Sequence, residues 1–320
     1  MLYFNKCAKG KNMSSKVTVF GSFVVDLMAR TPHLPVPAET VKGSLFKMGA
    51  GGKGFNQCVA AHKAGADVTM VTKMGRDSFA NVALDVMDEL GMPKDHIFFN
   101  EKDATGIALI LVDEKTSQNE IVIVPGACAT ITKEDTDSIE ELIKESEYVL
   151  LQLEVNQDAN ERVIDCAYKN GTKVILNTAP YSPVSDECLS KVYMVTPNEV
   201  EAEEMTGVKV DSLEAAKEAA AVFRKKGVKK VVITLGSRGV FISADGREEI
   251  VPCFRVDAVD TTGAGDAFNG GFLTALAEGK DEWEAARFAS ALAAISVTRM
   301  GTTPAMPTRA EVDAFLKEHE

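Results

Sequence analysis

Between residues 148 and 235 the chain alternates buried strands with helices, and few folds accommodate such an alternation. β-Branched and apolar runs at residues 148–153, 173–177, 192–196 and 230–235 are separated by helical stretches at 159–170, 199–206 and 213–226. Apolar strands with a helix between them are typical of a parallel sheet that carries helices on both faces. The sequence therefore predicts an α/β fold.

The flanking regions extend this pattern. The predicted strands are at residues 16–25, 68–73, 239–243 and 249–253, and the predicted helices at 56–65, 81–90, 137–145, 266–278 and 283–300, with a short terminal helix from Arg309. Two extended stretches, a proline-marked one at 31–47 and a hairpin at 106–124, do not fit a parallel sheet. We expect these two stretches to pair into a small separate sheet that acts as a lid.

Composition excludes several classes of function. The net charge of −12 argues against a surface for nucleic acid or anionic membrane. Apolar runs stay short of the roughly 20 residues that span a bilayer, and the six cysteines show no metal-ligand spacing. These features predict a cytoplasmic protein with free thiols. Residues 1–15 resemble a leader or tag, and Met13 is a plausible native start.

The stretch from Asp260 to Asp266 (DTTGAGD) precedes an apolar helix and holds three small residues in a row. Bare N–H groups at a helix N-terminus, together with the helix dipole, form an anion site. Asp266 places a carboxylate beside that site, as expected of a group that accepts a proton while phosphate is transferred. Alternatively, Asp266 only caps the helix and the glycines only form a turn.

Residues 49–54 (GAGGKG) match the GxGxxG pattern of dinucleotide-binding proteins, but their context is wrong for it. The preceding residues form a poor buried strand, and no acidic residue ends the next strand. A phosphate-binding P-loop is also absent, because Gly54 follows Lys53 where that motif needs Ser or Thr. The glycines instead suggest close backbone approach to a small polar ligand, with Lys53 and Asn56 as donors.

Carboxylates follow two of the predicted strands. Asp26 ends the first strand and Glu154 follows the strand at 148–153, at the edge where α/β sheets bind ligands. A carboxylate can accept from two adjacent sugar hydroxyls, although either residue could equally serve a turn. Asn198 and Glu201 form a capping box at the start of a helix. The glycines of residues 234–239 would let a nucleotide lie against the backbone; alternatively, these glycines only form a turn between strands.

Six stretches occur in an order that resembles the ribokinase-like, or PfkB, family of carbohydrate kinases. They are Gly21-Ser22 with Asp26, and residues 51–57 (GGKGFNQ), 152–154 (QLE), 196–203 (TPNEVEAE), 233–239 (ITLGSRG) and 260–266 (DTTGAGD). The resemblance implies a kinase domain over residues 16–320. Its implied fold is a three-layer αβα sandwich with a mostly parallel central sheet and a small β-sheet lid, whose strands are inserted at about 27–48 and 105–126.

The resemblance also implies ATP-dependent phosphorylation of a pentose, foremost D-ribose at O5, with Asp266 as general base. The anion hole would comprise Gly263, Ala264 and Gly265 with the N–H of Asp266. The implied sugar-binding residues are Val24, Asp26, Gly52, Lys53, Gly54, Asn56, Glu154 and Asp266. The implied nucleotide-binding residues are Asn198, Thr234, Leu235, Gly236, Ser237, Arg238, Gly239, Gly265 and Ser290. Mg²⁺ is expected near Glu201, and a monovalent cation, K⁺, near Asp260, Thr262, Ser296, Arg299 and Gly301. A homodimer through the lid is also implied.

Five positions depart from the family pattern: Val24, Phe55, Cys128, Ala38 and Ala305. The first three leave the acceptor open among ribose, 2-deoxyribose, a nucleoside and other sugars, since Val24 removes a polar contact and Phe55 would tighten the pocket. Ala305 stands where a serine often completes the cation shell. A sugar-binding regulator without turnover is a further alternative, which the intact Asp266 and its glycine loop disfavour.

Overall fold

A computed structural model describes residues 14–116 and 118–320 of the chain. The strands of this part are, in chain order, β1 (Val17–Phe20), β2 (Val24–Thr31), β3 (Leu45–Gly51), β4 (Val68–Gly75), β5 (Ile97–Asn100), β6 (Thr105–Asp113), β7 (Asn119–Gly126), β8 (Tyr148–Leu151), β9 (Lys173–Leu176), β10 (Met194–Val195), β11 (Lys230–Thr234), β12 (Val240–Ala244) and β13 (Arg247–Val251). Nine of them form a sheet with the order β13-β12-β11-β10-β9-β8-β1-β4-β5. In this order, all neighbours from β11 to β5 pair in parallel. Strands β12 and β13 extend the sheet beyond β11 and pair antiparallel. The predicted α/β fold with a mostly parallel sheet is confirmed.

Helices connect these strands. They are α1 (Lys53–Lys63), α2 (Ala80–Leu90), α3 (Lys133–Ser138), α4 (Glu140–Glu145), α5 (Gln157–Asn170), α6 (Asp186–Leu189), α7 (Glu199–Thr206), α8 (Leu213–Lys225), α9 (Ala264–Ala277), α10 (Glu282–Val297) and α11 (Arg309–Glu318). The single helix predicted at 137–145 is wrong. The backbone leaves the helical region at Ile139, whose side chain is fully buried, so α3 and α4 are separate.

The large sheet has a hydrophobic core on each face, because successive residues of a strand point to opposite sides. In β8, Leu150 belongs to one core, and Val149 and Leu151 belong to the other. Helices α1, α9 and α10 cover the first face and helices α5 and α8 the second. The chain thus forms three layers, helix, sheet and helix.

The smaller sheet has four strands in the order β3-β2-β6-β7. Strand β2 pairs in parallel with β6 and antiparallel with β3, and β6 pairs antiparallel with β7. The single first strand predicted at 16–25 is therefore wrong: β1 lies in the large sheet and β2 in the small one. The break falls at Gly21, whose backbone packs against Gly54 and whose Cα side faces Gln152, leaving no room for a side chain.

The glycine-rich stretch at 49–54 also differs from its prediction. Gly49 to Gly51 end β3, and α1 begins at Lys53, three residues earlier than predicted. Gly52 makes this sharp transition with a φ of 87°, in the region that favours glycine. Residues 1–13 of the predicted leader lie outside the described part, and Ser15 already donates its N–H to the carbonyl of Ala277. Over the described residues, every helix is too short or too polar to cross a membrane.

Candidate active site

Polar side chains meet where the parallel strands β8 to β11 end. A cavity of about 190 Å³ there is lined by Lys53, Asn177, Ala179, Thr196, Asn198, Glu201, Thr234, Thr261, Gly263, Ala264, Gly265, Asp266 and Asn269. Open parallel sheets bind ligands at this edge, because the connecting loops diverge and leave a crevice. Residues far apart in sequence thus face one small space.

Asp26 belongs to the smaller, four-stranded sheet, which we call the lid sheet after its predicted role. It lies inside β2 opposite Gly49, so its predicted place at the end of a large-sheet strand is wrong. Its carboxylate lies directly over Gly51, where a Cβ would overlap it. Burial, with the charges of Glu154 and Asp266, raises the pKa of Asp26 to about 6. The smaller sheet therefore brings a carboxylate close to those of Glu154 and Asp266.

Glu154 follows β8 by three residues, and its Oε2 accepts two hydrogen bonds. The hydroxyl of Ser22 donates across 2.5 Å and the N–H of Lys53 across 2.8 Å. Gly54 packs against the backbone of Gly21 and Ser22, so only glycine fits there. Glu154 is thereby held between the start of α1 and the passage from β1 to β2.

All three departures from the family pattern that leave the acceptor open are buried. Phe55 is fully buried and packs edge-to-face on Phe23, with ring centroids 5.1 Å apart. Cys128 is buried, and its thiol donates to the carbonyl of Pro125. Val24, the first residue of β2, is buried in register with Gly51 and Gly106. Phe55 therefore packs in the core beside Phe23, and its effect on the pocket stays a prediction.

The N-terminus of α9 carries the predicted anion hole. Gly263 precedes the helix with a φ of 77°, and a Cβ there would lie 3.3 Å from the methyl group of Thr302, so both backbone and space favour glycine. The N–H of Ala264 donates to the carbonyl of Thr261 across 3.2 Å, whereas the N–H groups of Gly265 and Asp266 find no backbone acceptor among the described residues. Unpaired donors at this end of a helix favour an anion.

Asp266 lies one turn into α9 and is 7% exposed. Asn56 donates to its Oδ2 across 3.0 Å, and Gln57 donates to its Oδ1 across 2.9 Å. Burial raises the pKa of Asp266, while Lys53 and the two carboxamides oppose this shift. A buried carboxylate with a raised pKa is suited to accept a proton.

Lys53 supplies positive charge to the cavity. Burial alone would lower the pKa of Lys53, but the carboxylates of Asp266, Glu154 and Glu201 outweigh burial and raise it. The side chain therefore stays protonated at neutral pH. A fixed cation beside the N-terminus of α9 strengthens the attraction for phosphate.

A larger cleft of about 940 Å³ adjoins this cavity. Of the residues predicted to contact a nucleotide, Asn198, Thr234, Gly236, Ser237, Gly239, Gly265 and Ser290 line it. The lining residues that were not predicted from the sequence include Cys253, Phe254, Arg255, Val256, Phe268, Ala293, Ala294 and Val297. Positions 290, 293, 294 and 297 follow helical spacing, a signal that could have found the α10 wall. Residues 253–256 follow β13 without a recognisable local motif.

The side chains of two residues that were predicted to contact a nucleotide lie outside the lining of the cleft. The side chain of Leu235 is buried in the core, at 3% exposure. The guanidinium of Arg238 pairs with Glu199 and donates to the carbonyls of Val210 and Asp211. Arg238 therefore ties the turn after β11 to the segment before α8, and a nucleotide contact at this residue stays a prediction.

The predicted cation residues come from the loop before α9, the end of α10 and the loop that follows α10. Asp260 accepts from the N–H of Thr262 across 3.0 Å and from that of Gly301 across 2.9 Å. Partial burial would raise the pKa of Asp260, but these donors outweigh it and lower that pKa. The N–H of Arg299 donates to the carbonyl of Ser296, and its guanidinium pairs with Glu311. Arg299 can thus offer a cation only its backbone carbonyl.

Glu201 is 8% exposed and lines the cavity, yet it also closes the capping box of α7. Its two oxygens accept from the backbone and side-chain nitrogens of Asn198 across 2.9 and 2.8 Å. Over the described residues, no group of three or more His, Cys, Asp or Glu side chains is placed to hold a metal ion. A divalent cation here would need ligands from a bound phosphate and water.

Comparisons with known proteins agree with this geometry. The model of the pfkB family carbohydrate kinases matches residues 14–309. The chain is 43% identical to a ribokinase from Haemophilus influenzae over 305 residues, which are 95% of this chain and 99% of that protein. It is 36% identical to a deoxyribokinase from Salmonella typhi, with the same coverage of both chains. A solved structure of Arabidopsis thaliana ribokinase complexed with ribose and ATP matches with a TM-score of 0.88 at 31% identity, over 95% of this chain and 99% of that one. The chain therefore belongs to the pfkB family of carbohydrate kinases.

Proposed function

We propose that this protein is an ATP-dependent ribokinase that phosphorylates D-ribose at O5. One observation carries the proposal: Asp266 lies buried near the carboxylates of Asp26 and Glu154, and its neighbour Gly265 lines the large cleft. The 43% identity to a ribokinase supports the choice of sugar, as does the likeness to a ribokinase complexed with ribose and ATP. In this proposal the sugar binds beneath the lid sheet and ATP binds in the cleft.

The chemistry follows from the position of Asp266. Its carboxylate accepts the proton of the sugar hydroxyl as that oxygen attacks the γ-phosphorus and the bond to ADP breaks. General-base catalysis of this kind contributes about 10²–10⁴-fold. The N–H groups of Gly265 and Asp266 and the ammonium of Lys53 stabilise charge on the phosphoryl group. Closure of the lid excludes water, which would otherwise compete as acceptor.

Two ions complete the proposal. Glu201 would hold Mg²⁺ through water beside the nucleotide phosphates, where the ion neutralises phosphate charge. Backbone carbonyls and the Asp260 carboxylate, held by Thr262 and Gly301, offer the oxygen ligands that K⁺ prefers. K⁺ would add positive charge beside the N-terminus of α9. Ala305 has no hydroxyl to contribute to this shell.

We also infer a homodimer formed through the lid. Strand register aligns Met48, Leu109 and Val122 in one row across the small sheet, and all three are exposed, at 52%, 44% and 59%. An exposed apolar row on a sheet indicates an interaction surface. A second copy of the same surface would cover it.

A 2-deoxyribose kinase is the second candidate, because the deoxyribokinase relative covers the chain as fully as the ribokinase does. The apolar Val24 in β2 favours it, since that residue offers no hydrogen bond to a sugar hydroxyl. A nucleoside kinase and a sugar-binding regulator without turnover are weaker candidates. The buried base and its glycine turn favour an active enzyme.

The test is coupled ADP release with Mg·ATP, K⁺ and one acceptor at a time. The panel contains ribose, 2-deoxyribose, fructose, fructose 6-phosphate and adenosine. The proposal predicts K⁺-stimulated turnover with the highest kcat/KM on ribose. A higher kcat/KM on 2-deoxyribose would move the function to that sugar, and no turnover on any acceptor would contradict a kinase of this substrate class.

A further inference from the structure

Two consecutive residues of α1 hold the two carboxylate oxygens of Asp266 separately. Asn56 donates to Oδ2 and Gln57 donates to Oδ1. Neighbouring residues of a helix normally point about 100° apart, so both reach one carboxylate only because α1 and α9 lie very close. Gly270 permits this approach, since a Cβ there would lie 2.5 Å from the carbonyl oxygen of Gln57.

The carboxamide of Gln57 has no hydrogen left to donate to a ligand. Its Nε2 donates to Asp266 and, across 3.0 Å, to Oδ1 of Asn177, and these bonds use both of its hydrogens. Its Oε1 accepts from Gln152 across 2.7 Å. The side chain is fully buried, so water does not replace these partners.

Asn56 is held differently. Its Oδ1 accepts from the hydroxyl of Thr303 across 3.0 Å, and one hydrogen of its Nδ2 goes to Asp266. The second hydrogen finds no acceptor among the described residues. Asn56 can therefore donate to a sugar hydroxyl while it keeps its bond to Asp266, whereas Gln57 serves the protein alone.

We propose that Gln57 is a positioning residue for Asp266, one that holds Oδ1 so that Oδ2 faces the acceptor hydroxyl. This inference rests on the proposed role of Asp266 as general base. Gln57 is itself held by Gln152, which follows β8, and by Asn177, which follows β9. These two hydrogen bonds connect the proposed base to the large sheet. A base fixed in this way needs no reorientation when the acceptor binds.

The charged groups around Asp266 set the background against which Gln57 acts. Lys53 on α1 stabilises the charged carboxylate, while Glu154 after β8, Asp26 on β2 and Glu201 on α7 repel it. None of these groups changes when Gln57 is replaced. Loss of its N–H donor removes one stabilising contact to the carboxylate, so the pKa of Asp266 rises further.

The experiment compares Gln57→Met with Asn160→Leu. Both replace a buried carboxamide with an apolar side chain of similar size, but Asn160 donates to the carbonyl of Gln152 and does not touch Asp266. For Gln57→Met we expect kcat to fall about 10²-fold with a ribose KM within about 3-fold of wild type. The acid limb of the kcat/KM profile should move to higher pH, and Asn160→Leu should leave that limb in place.

A second variant covers the case in which Gln57→Met does not fold. Gln57→Glu keeps the shape of the side chain and the acceptor for Gln152, but it puts a carboxyl group where Asp266 now receives an N–H. Its acid limb should also move to higher pH. An unmoved acid limb in the folded Gln57 variant, or an equal shift in Asn160→Leu, would overturn the inference.

Asp266→Asn separates this inference from the proposed function. An Asp266→Asn enzyme with near-normal kcat would reject the general base itself, and with it the role of Gln57. An inactive Asp266→Asn together with wild-type kcat and acid limb for the Gln57 variant would reject only the positioning role.

Discussion

The hydroxyl of Ser22 donates to Oε2 of Glu154 across 2.5 Å, and the same oxygen accepts the N–H of Lys53. Ser22 lies in the three-residue passage from β1 in the large sheet to β2 in the lid. One carboxylate oxygen thus joins the lid passage, the start of α1 and the end of β8. We infer that the proposed sugar site and the base of the lid are built on a shared contact.

Glu154→Gln tests this contact. The substitution puts an NH₂ group or a weaker acceptor against two donors, so we expect the Kd of ribose to rise about 10- to 100-fold. The Kd of ATP should change little, because Glu154 does not line the large cleft. Calorimetric titration measures both constants. Glu147→Gln, on an exposed pair with Lys173, is the control, and equal effects of the two variants would contradict the prediction.

Asp26→Asn should stabilise the free protein while it weakens sugar binding. Folding raises the pKa of Asp26 from 3.8 to about 6, so between these values the folded protein keeps a proton that the unfolded chain releases. The free energy of unfolding therefore falls as pH rises through this window, and the loss is complete above pH 6. Removing the charge should recover at most about 3 kcal/mol above that pH and nothing near pH 3.

Urea denaturation of wild type and Asp26→Asn near both ends of this pH range measures the effect. The variant should also bind ribose more weakly at neutral pH, since a carboxamide accepts fewer hydroxyls. Asp95→Asn, at an exposed site, serves as control. A stability difference that does not depend on pH would show that the carboxylate charge is not its source.

Ser290→Ala should weaken nucleotide binding without destabilising the free protein. The Ser290 hydroxyl is buried in the wall of the cleft and finds no partner among the described residues, so its removal breaks no bond there. We expect the Kd of ATP to rise about 5- to 10-fold through one lost hydrogen bond. Thr72→Val removes another buried, unpartnered hydroxyl outside the cleft. An unchanged Kd for Ser290→Ala would exclude this contact.

Val122→Asp should separate the proposed dimer. A charge in the exposed row formed with Met48 and Leu109 would have to be buried at the interface, which is unfavourable. Light scattering coupled to size-exclusion chromatography should then report one chain instead of two. Ile250→Asp makes the same change at an exposed position of β13 in the large sheet. A wild-type protein that elutes as a monomer at high concentration would contradict the inferred dimer.

Local patterns were sufficient for the layered fold and for the residues that begin helices. The parallel strands read as continuous apolar runs because both of their faces are buried, and Asn198 was recognised as a cap from its spacing to Glu201. The helix after Asp260–Asp266 was recognised because its small residues and following apolar run lie together in sequence. In each case the interactions that decide the structure span only a few residues.

The tertiary structure decided what depends on contacts between distant segments. The apolar pattern of residues 16–25 predicts a single strand, yet the chain passes from one sheet to the other at Gly21 and Ser22. The passage lies there because Gly54 and Gln152 pack against these two residues. Gln57 belongs to the motif at residues 51–57, but the sequence predicts no role for it. Its partners Gln152, Asn177 and Asp266 lie 95, 120 and 209 residues away. Hydrogen bonds over such separations leave no periodic trace in a sequence, since each residue type is compatible with many partners. The sequence by itself determined the alternation of strands and helices and predicted where an anion and a proton acceptor meet, and the packing of α1 on α9 determined how the Asp266 carboxylate is held.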